Sequence, residues 1–379
     1  MHEQRPVSLA IGDGAVIGKI AIVGTALGDV VVERADGDET EMNRRQLLRR
    51  ISSGLGLGVS VASIEAVDSL RTVAEATIER GALSPQVLDS WEHRINEHVH
   101  DYATRPAREL LQDLIIDFSD LQALLDRCRS PRTGKILVHL LGRAAAVIAV
   151  VIDDLGATRT ARSWMRTART AAVEAGDRPH VAWTLAREAF FLLHYGHSGR
   201  SALEMSRAAT AAARVTWSAR VMAPTVAARA HARRGATHEA IAALDEADRA
   251  FEHLGAEATQ GLFGWSYRQM TFSAGKALTT LGETRRALAA QDRALALFPA
   301  EEVLDPALIR LDRAQALIRA GDVTEGCRFG ADTLRGLPPA FHSPLIVSWA
   351  EEALSVVPRV RRGVEVADFR AALAGVSVG

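Results

Sequence analysis

Five glycines divide the middle of this 379-residue chain into near-equal lengths. They are Gly156, Gly196, Gly235, Gly282 and Gly321, at successive intervals of 40, 39, 47 and 39 residues. An alanine-rich apolar run precedes each glycine and a second one follows it. Similar text recurs at the turns: LGATRTA at 155–161, RGATHEA at 234–240, LGETRRA at 281–287 and AGDVTEG at 320–326. Gly196 is followed by three extra residues, HSG, before the helix resumes at Arg200. A period near 40 residues built from helix pairs predicts an all-α chain, an α-solenoid of stacked hairpins. Such a scaffold predicts binding rather than a reaction.

The repeat has a physical reading. Glycine after a first helix supplies the left-handed backbone position that closes a helix C-terminus. Thr158, Thr237 and Thr284, two residues later, are expected to cap the next helix through their hydroxyls. Glu239 puts negative charge in a first turn, where the helix dipole favours it. Ala161, Ala240 and Ala287 lie five past the glycine, where a small residue lets two helices approach closely, and Gly326 takes that place in the last clear unit. No hairpin of this kind is stable alone, so each must stack on its neighbours.

Composition narrows the function classes. Hydrophobic residues at 48% and charged residues at 24% are globular values. A net charge of −1 gives no overall field to recruit nucleic acid or an anionic membrane. The arginine and alanine excess suggests a high-GC genome. Two cysteines, Cys128 and Cys327, are too few for a disulfide framework or a cysteine zinc site, and are expected as small buried hydrophobes in a reducing cytoplasm. The longest apolar run, Ala144–Ile152, is too short to span a bilayer.

The chain reads as four parts: a glycine- and valine-rich β-like extension over 1–41, a basic linker over 42–62, N-terminal helices over 63–130, and the solenoid with a C-terminal cap over 131–379. In the first part, Lys19–Val23 and Asp29–Glu33 read as short strands around a turn at Gly24 to Gly28. Two such strands cannot hold a core, and their apolar faces are a candidate homodimer contact. GDGAVIG at 12–18 lacks the Gly-Lys-Ser/Thr ending of a phosphate loop. The linker, MNRRQLLRRISSGLGLG, has the look of a twin-arginine export signal if translation starts at Met42, but its serines and the charged helix behind it favour a plain linker.

Helices are expected over Ser63–Arg80, from Ser84-Pro85 through Trp91, Ile95, Val99 and Tyr102, and from Pro106 to a break at Ser130-Pro131. His93, Glu97 and His100 share a helix face, but no fourth metal ligand is apparent and solvated side chains are expected. The solenoid's first helices are then Leu137–Leu155, Val181–Tyr195, Ala219–Arg233, Trp265–Leu281 and Ala307–Ala320. Its second helices are Thr158–Ala175, Ser201–Arg214, His238–Leu254, Thr284–Leu297 and Thr324–Leu334, and Pro344 to Gly379 reads as one more, degenerate pair.

WEHRINEHVHDYATRPARELLQDLIIDFSDLQALLDRC, followed by LLGRAAAVIAVVIDDLGATRTARSWMRTARTAAVEAGD, resembles the tetratricopeptide-like C-terminal region of actinobacterial Xre-type transcriptional regulators. NRRQLLR at 43–49 resembles the linker those proteins carry between their DNA-binding and repeat regions. The likeness covers roughly 43–340, most of the chain. It implies a tetratricopeptide-like solenoid and the sensing or partner-binding half of a regulator. The helix-turn-helix that opens such proteins has no counterpart in residues 1–41, so DNA contact is not carried over.

Solenoids of this shape bind along the concave surface lined by first helices. The candidate residues there are Trp183, Arg187, Tyr195, Arg220, Trp265, Tyr267, Arg268, Gln269, Arg310 and Arg313, the aromatic and arginine types that dominate binding hot spots. The arginines suit a carboxylate or peptide carbonyls. The leading expectation is a cytoplasmic regulatory protein binding a peptide, a protein or a small signalling molecule. A salt-dependent DNA-binding regulator and an exported binding protein starting at Met42 are the alternatives. No nucleophile elbow, P-loop or Rossmann fingerprint is present, so no catalytic residue or cofactor is expected. Asp153-Asp154 could act as paired carboxylates, but they end a helix and are expected to face water.

Overall fold

In a computed structural model, the residues described are 83–195, 199–212, 218–361 and 363–377, with the backbone of 22–24 and 30–32. The expectations for 12–18, 42–62, Ser63–Arg80 and Gly196 lie outside them. The chain divides into two units, Met1–Val73 and Ala74–Gly379. In the first, β1 (Ile22–Gly24) pairs antiparallel with β2 (Val30–Val32), Val23 opposite Val31.

The second unit is all-α. Its described helices are α1 (Pro85–Asp101), α2 (Ala107–Arg127), α3 (Pro131–Asp154), α4 (Thr158–Ala175), α5 (Arg178–Phe191), α6 (Gly199–Ala212) and α7 (Ala219–Arg233). They continue as α8 (Thr237–Phe251), α9 (Tyr267–Leu281), α10 (Thr284–Leu297), α11 (Leu304–Arg319), α12 (Val323–Arg335), α13 (Pro344–Ser355) and α14 (Val364–Ser377). The helices pack in adjacent pairs: α3 with α4, α5 with α6, α7 with α8, α9 with α10, α11 with α12.

The turns work as their glycines require. Gly156, Gly235, Gly282 and Gly321 have φ of +83°, +70°, +81° and +100°. The next residue then donates back to the carbonyl five positions earlier, Ala157 to Ile152 at 3.1 Å and Glu283 to Leu278 at 3.0 Å, pairing an otherwise orphaned helix-end oxygen. The threonine caps do not form. The caps are Ala157, Ala236 and Glu283, without side-chain hydrogen bonds, and each threonine already lies inside the first turn. The Thr158 hydroxyl is buried without a partner.

Small residues set the hairpin spacing. Ala161, Ala240 and Ala287 are fully buried. At Gly326 a Cβ would stand 2.6 Å from Ile318 Cγ1 and 2.8 Å from the Ala314 carbonyl, with backbone unable to retreat. Gly326→Ala is therefore expected to destabilise by about 1–3 kcal/mol in urea unfolding despite alanine's better helix propensity.

The helix α3 is apolar on all sides: Ala144 to Val151 are each fully buried. By length and composition it could cross a membrane, but 72% of its apolar window is buried inside the protein, as in a core helix. Cys327 is buried and Cys128 half-buried.

First and second helices pack differently. The first helices touch one another in series, α5 on α7, α7 on α9, α9 on α11 and α11 on α13, and α13 returns to α3. By contrast α4, α6, α8, α10 and α12 make no comparable contact among themselves. The first helices therefore form one tight layer, and its facing side chains are forced together.

Candidate functional site

Charged side chains meet inside that layer. Lys276 of α9 is 2% exposed. It donates to Asp312 of α11 at 2.7 Å and to Glu352 of α13 at 3.0 Å. Arg233 at the end of α7 approaches the same Glu352 at 3.6 Å. Burial opposes the Glu352 charge, but Lys276 and Arg233 hold its pKa down to about 2. Asp312 is pushed up to about 6 by burial, against the pull of Lys276.

A second group lies where α3 ends. Asp153 and Asp154 do not face water as the sequence suggests: they are 0% and 3% exposed. Tyr102 donates to Asp154 Oδ2 at 3.0 Å, and Tyr195 donates to the Asp153 carbonyl at 2.6 Å. His194 Nδ1 sits 2.5 Å from Asp153 Oδ2. Burial, with Asp153 alongside, raises Asp154 to about 8, so it carries a proton at neutral pH. Burial also drives the His194 pKa down, against Asp153. Asp305 of α11 is raised to about 6 by burial and Glu302.

Arg187 and Arg229 lie between the two groups. The Arg187 guanidinium reaches the Tyr102 hydroxyl at 3.4 Å, and its Nε is buried without a partner. Arg229, 5% exposed, lies over two ring faces, 5.3 Å from the Phe190 centroid and 5.7 Å from that of Trp349. Trp349 in turn packs edge-on against His194 at 5.4 Å and takes the Lys276 ammonium at 4.8 Å.

A cleft opens onto the Tyr102–Asp154 pair. Its walls are Arg105, Arg108, Leu155, Leu304, Phe341 and His342, and Tyr102 and Asp154 also line it. Its enclosed part, about 20 Å³, is room for little more than one water.

The predicted site residues disperse. Arg187 and Tyr195 belong to the polar centre. Trp183 is a packing residue, stacked on His180 at 5.5 Å and met edge-on by Phe263 at 4.9 Å. Trp265 packs against Phe190 at 5.3 Å. Gln269 closes a capping box with Ser266, and Arg268 pairs with Glu302 at 2.6 Å. Arg313 pairs with Asp292. Arg220 and Arg310 are exposed, as is Tyr267, which packs on Phe251. His93 lies 3.4 Å from Glu97 with both side chains largely in water, whereas His98 is buried on Asp117 at 2.7 Å.

Sequence reasoning passed over Arg229, Lys276, Trp349 and Glu352. A signal for Arg229 existed: Val221–Ala230 contains one charged residue, and a lone arginine on an otherwise apolar helix must meet something inside. No known protein-family model matches this chain, and no curated protein is significantly similar to it.

Proposed function

We propose that the chain is a tetratricopeptide-like α-solenoid that acts by binding, with the layer of first helices as its concave working face. Its ligand is a peptide, a partner protein or a small signalling molecule, and its role is regulatory, as in the sensor region of Xre-type regulators. One observation carries the reading: that layer concentrates costly buried polar groups that its own packing does not satisfy. Besides Arg187 Nε and Arg229 Nη2, the indole N–H groups of Trp265 and Trp349 and Asp312 Oδ2 have no partner. Groups of this kind are normally paired, because each unpaired one costs about 1–3 kcal/mol. Among the described residues the second helices carry only the scattered Thr158 Oγ1 and Gln291 Oε1. The single-layer contact, with α13 returning to α3, also supports a mechanism in which a ligand changes the curvature of the stack.

The test is affinity capture from the producing organism's lysate, with mass spectrometry covering proteins, peptides and metabolites. Arg187→Ala is the control for the inner face and Arg220→Ala for the exposed surface. The reading expects a species held by the wild type and by Arg220→Ala but lost from Arg187→Ala. Identical sets from all three proteins would contradict it. Retention by a promoter fragment that weakens steeply with salt would favour the DNA-binding alternative instead.

A further inference from the structure

Buried charges elsewhere in this fold are paired at close range. Glu188, 1% exposed, accepts from Arg162 Nε and Arg169 Nη1, each at 3.0 Å. Asp117 receives Arg94 at 3.0 Å and His98 at 2.7 Å. Arg229 breaks the pattern. Among the described residues it has neither a carboxylate within ion-pair distance nor a hydrogen bond, and its Nη2 is sealed from solvent. Its only close partners are the faces of Phe190 and Trp349. Arg187 stands in the same state, with one neutral hydroxyl at 3.4 Å and a sealed Nε. Arg229 feels Arg233 first and Arg187 as well, and the carboxylates it feels, Asp312 and Glu352, are already engaged by Lys276, whereas Arg187 acts on Asp154 and Asp305 without an ion pair to either.

Stacking leaves the edge of a guanidinium open. The Arg229 guanidinium lies over the faces of Phe190 and Trp349, and ring faces accept no conventional hydrogen bond, so its N–H groups keep their donor capacity. With such N–H groups arginine grips a planar oxyanion through two parallel hydrogen bonds. The indoles of Trp349, whose ring lies near Arg229, and of Trp265, whose ring packs on Phe190, carry sealed N–H groups that add to the unpaired donors. The unpartnered second oxygens of Asp153 and Asp312 belong to carboxylates that already have a cationic or histidine partner, so they do not answer the unpaired positive charge.

We propose that Arg229, with Arg187 as the second cation, forms an oxyanion site for a carboxylate or phosphoryl group of the ligand. This rests on the inner-face reading above and gives it a ligand chemistry. The aromatic walls of Phe190 and Trp349 position the guanidinium, and Lys276 keeps the neighbouring carboxylates from competing for it.

The experiment is thermal unfolding and calorimetric titration of the full chain with sodium acetate and with sodium phosphate, against sodium chloride at matched ionic strength. The proteins are wild type, Arg229→Met and Arg229→Lys, with circular dichroism to show that each is folded. One of the two oxyanions is expected to raise the wild-type Tm by about 3 °C or more at tens of millimolar. Acetate as the better ligand would identify a carboxylate, phosphate a phosphoryl group. Arg229→Met is expected to lose that response while melting no lower than wild type in chloride, because it removes an unpaired buried charge. Arg229→Lys keeps the charge without the fork and is expected to bind at least about fivefold more weakly. A wild type indifferent to both anions, or an Arg229→Met that responds equally, overturns the site and leaves only an adventitious ion effect. A partner lost from Arg187→Ala in the capture experiment, with no oxyanion response here, would sink the oxyanion site and spare the binding reading. An oxyanion response with no captured species would do the reverse.

Discussion

Lys276→Met is expected to cost about 3–5 kcal/mol of stability at pH 7.5. Among the described residues the ammonium is the only cation that bonds Asp312, and it also bonds Glu352, so it ties α9 to both α11 and α13. Methionine fills much the same volume but leaves the Asp312 carboxylate buried without its partner. Glu352 can turn toward water, since a quarter of its side chain is exposed; Asp312, at 1%, cannot. Part of the loss should therefore return at pH 5, where Asp312 takes up a proton. Lys276→Met combined with Asp312→Leu should recover more, because no buried charge then lacks a partner. Urea unfolding of the two variants at both pH values measures this. A loss under about 0.5 kcal/mol at pH 7.5 would show that Lys276 does not hold the three helices together.

The second large effect concerns Asp154. Its pKa is raised from an ordinary value near 3.8 to about 8, so between those values the folded chain holds a proton that the unfolded chain releases. The folded state binds more protons, and stability must fall as pH rises through that window. The shift corresponds to a penalty on the order of 5 kcal/mol once pH exceeds 8. Asp154→Asn keeps an acceptor for Tyr102 and removes the titration. It is expected to be more stable than wild type by a few kcal/mol at pH 8.5 and nearly equal to it at pH 4.5. His180, held near 4 by burial, and His194, lowered by burial, act in the opposite sense: their neutral forms are favoured, and that contribution is lost as pH falls below about 6.5. Asp154→Asn should accordingly remove this carboxyl's share of the decline between about pH 4 and 8 and leave the histidine-linked loss below about 6.5 in place. A parallel alkaline decline in both proteins would place the cause elsewhere.

Local chemistry was the part of the fold visible in the sequence. Thr158–Ala175, Ala219–Arg233 and Thr284–Leu297 are found with the bounds that turn and periodicity predict. Glycine's left-handed conformation is a strictly local requirement, and so it shows in the text. The threonine caps failed for an equally local reason: the hydrogen bond across each glycine turn carries the chain into the next helix one residue sooner. The 47-residue interval had no local explanation. Its extra length, between α8 and α9, includes a short 3-10 turn at Ala256–Thr259 and then sends Phe263 inward against Trp183 and His180.

The polar centre was hidden because its partners are remote along the chain. Asp154 meets Tyr102 from 52 residues away, and Lys276 meets Glu352 from 76. A pair of aspartates at a helix end reads as solvated until the returning α13 closes over that end, with Pro344 against Gly156. Hot-spot residue types picked out Arg187 and Tyr195, which lie in the polar centre. The same rule could not separate them from Arg220 and Arg310, which project into water, because helices packed on several sides blur the periodic stripe that marks an inner face.

Native mass spectrometry of the intact chain purified from its producing organism tests the inner-face account most directly, with Arg187→Ala/Arg229→Met purified alongside. The account predicts a stoichiometric adduct on the wild type, carrying a carboxylate or phosphate by fragmentation and missing from the double variant. An adduct of equal occupancy on both proteins would contradict it.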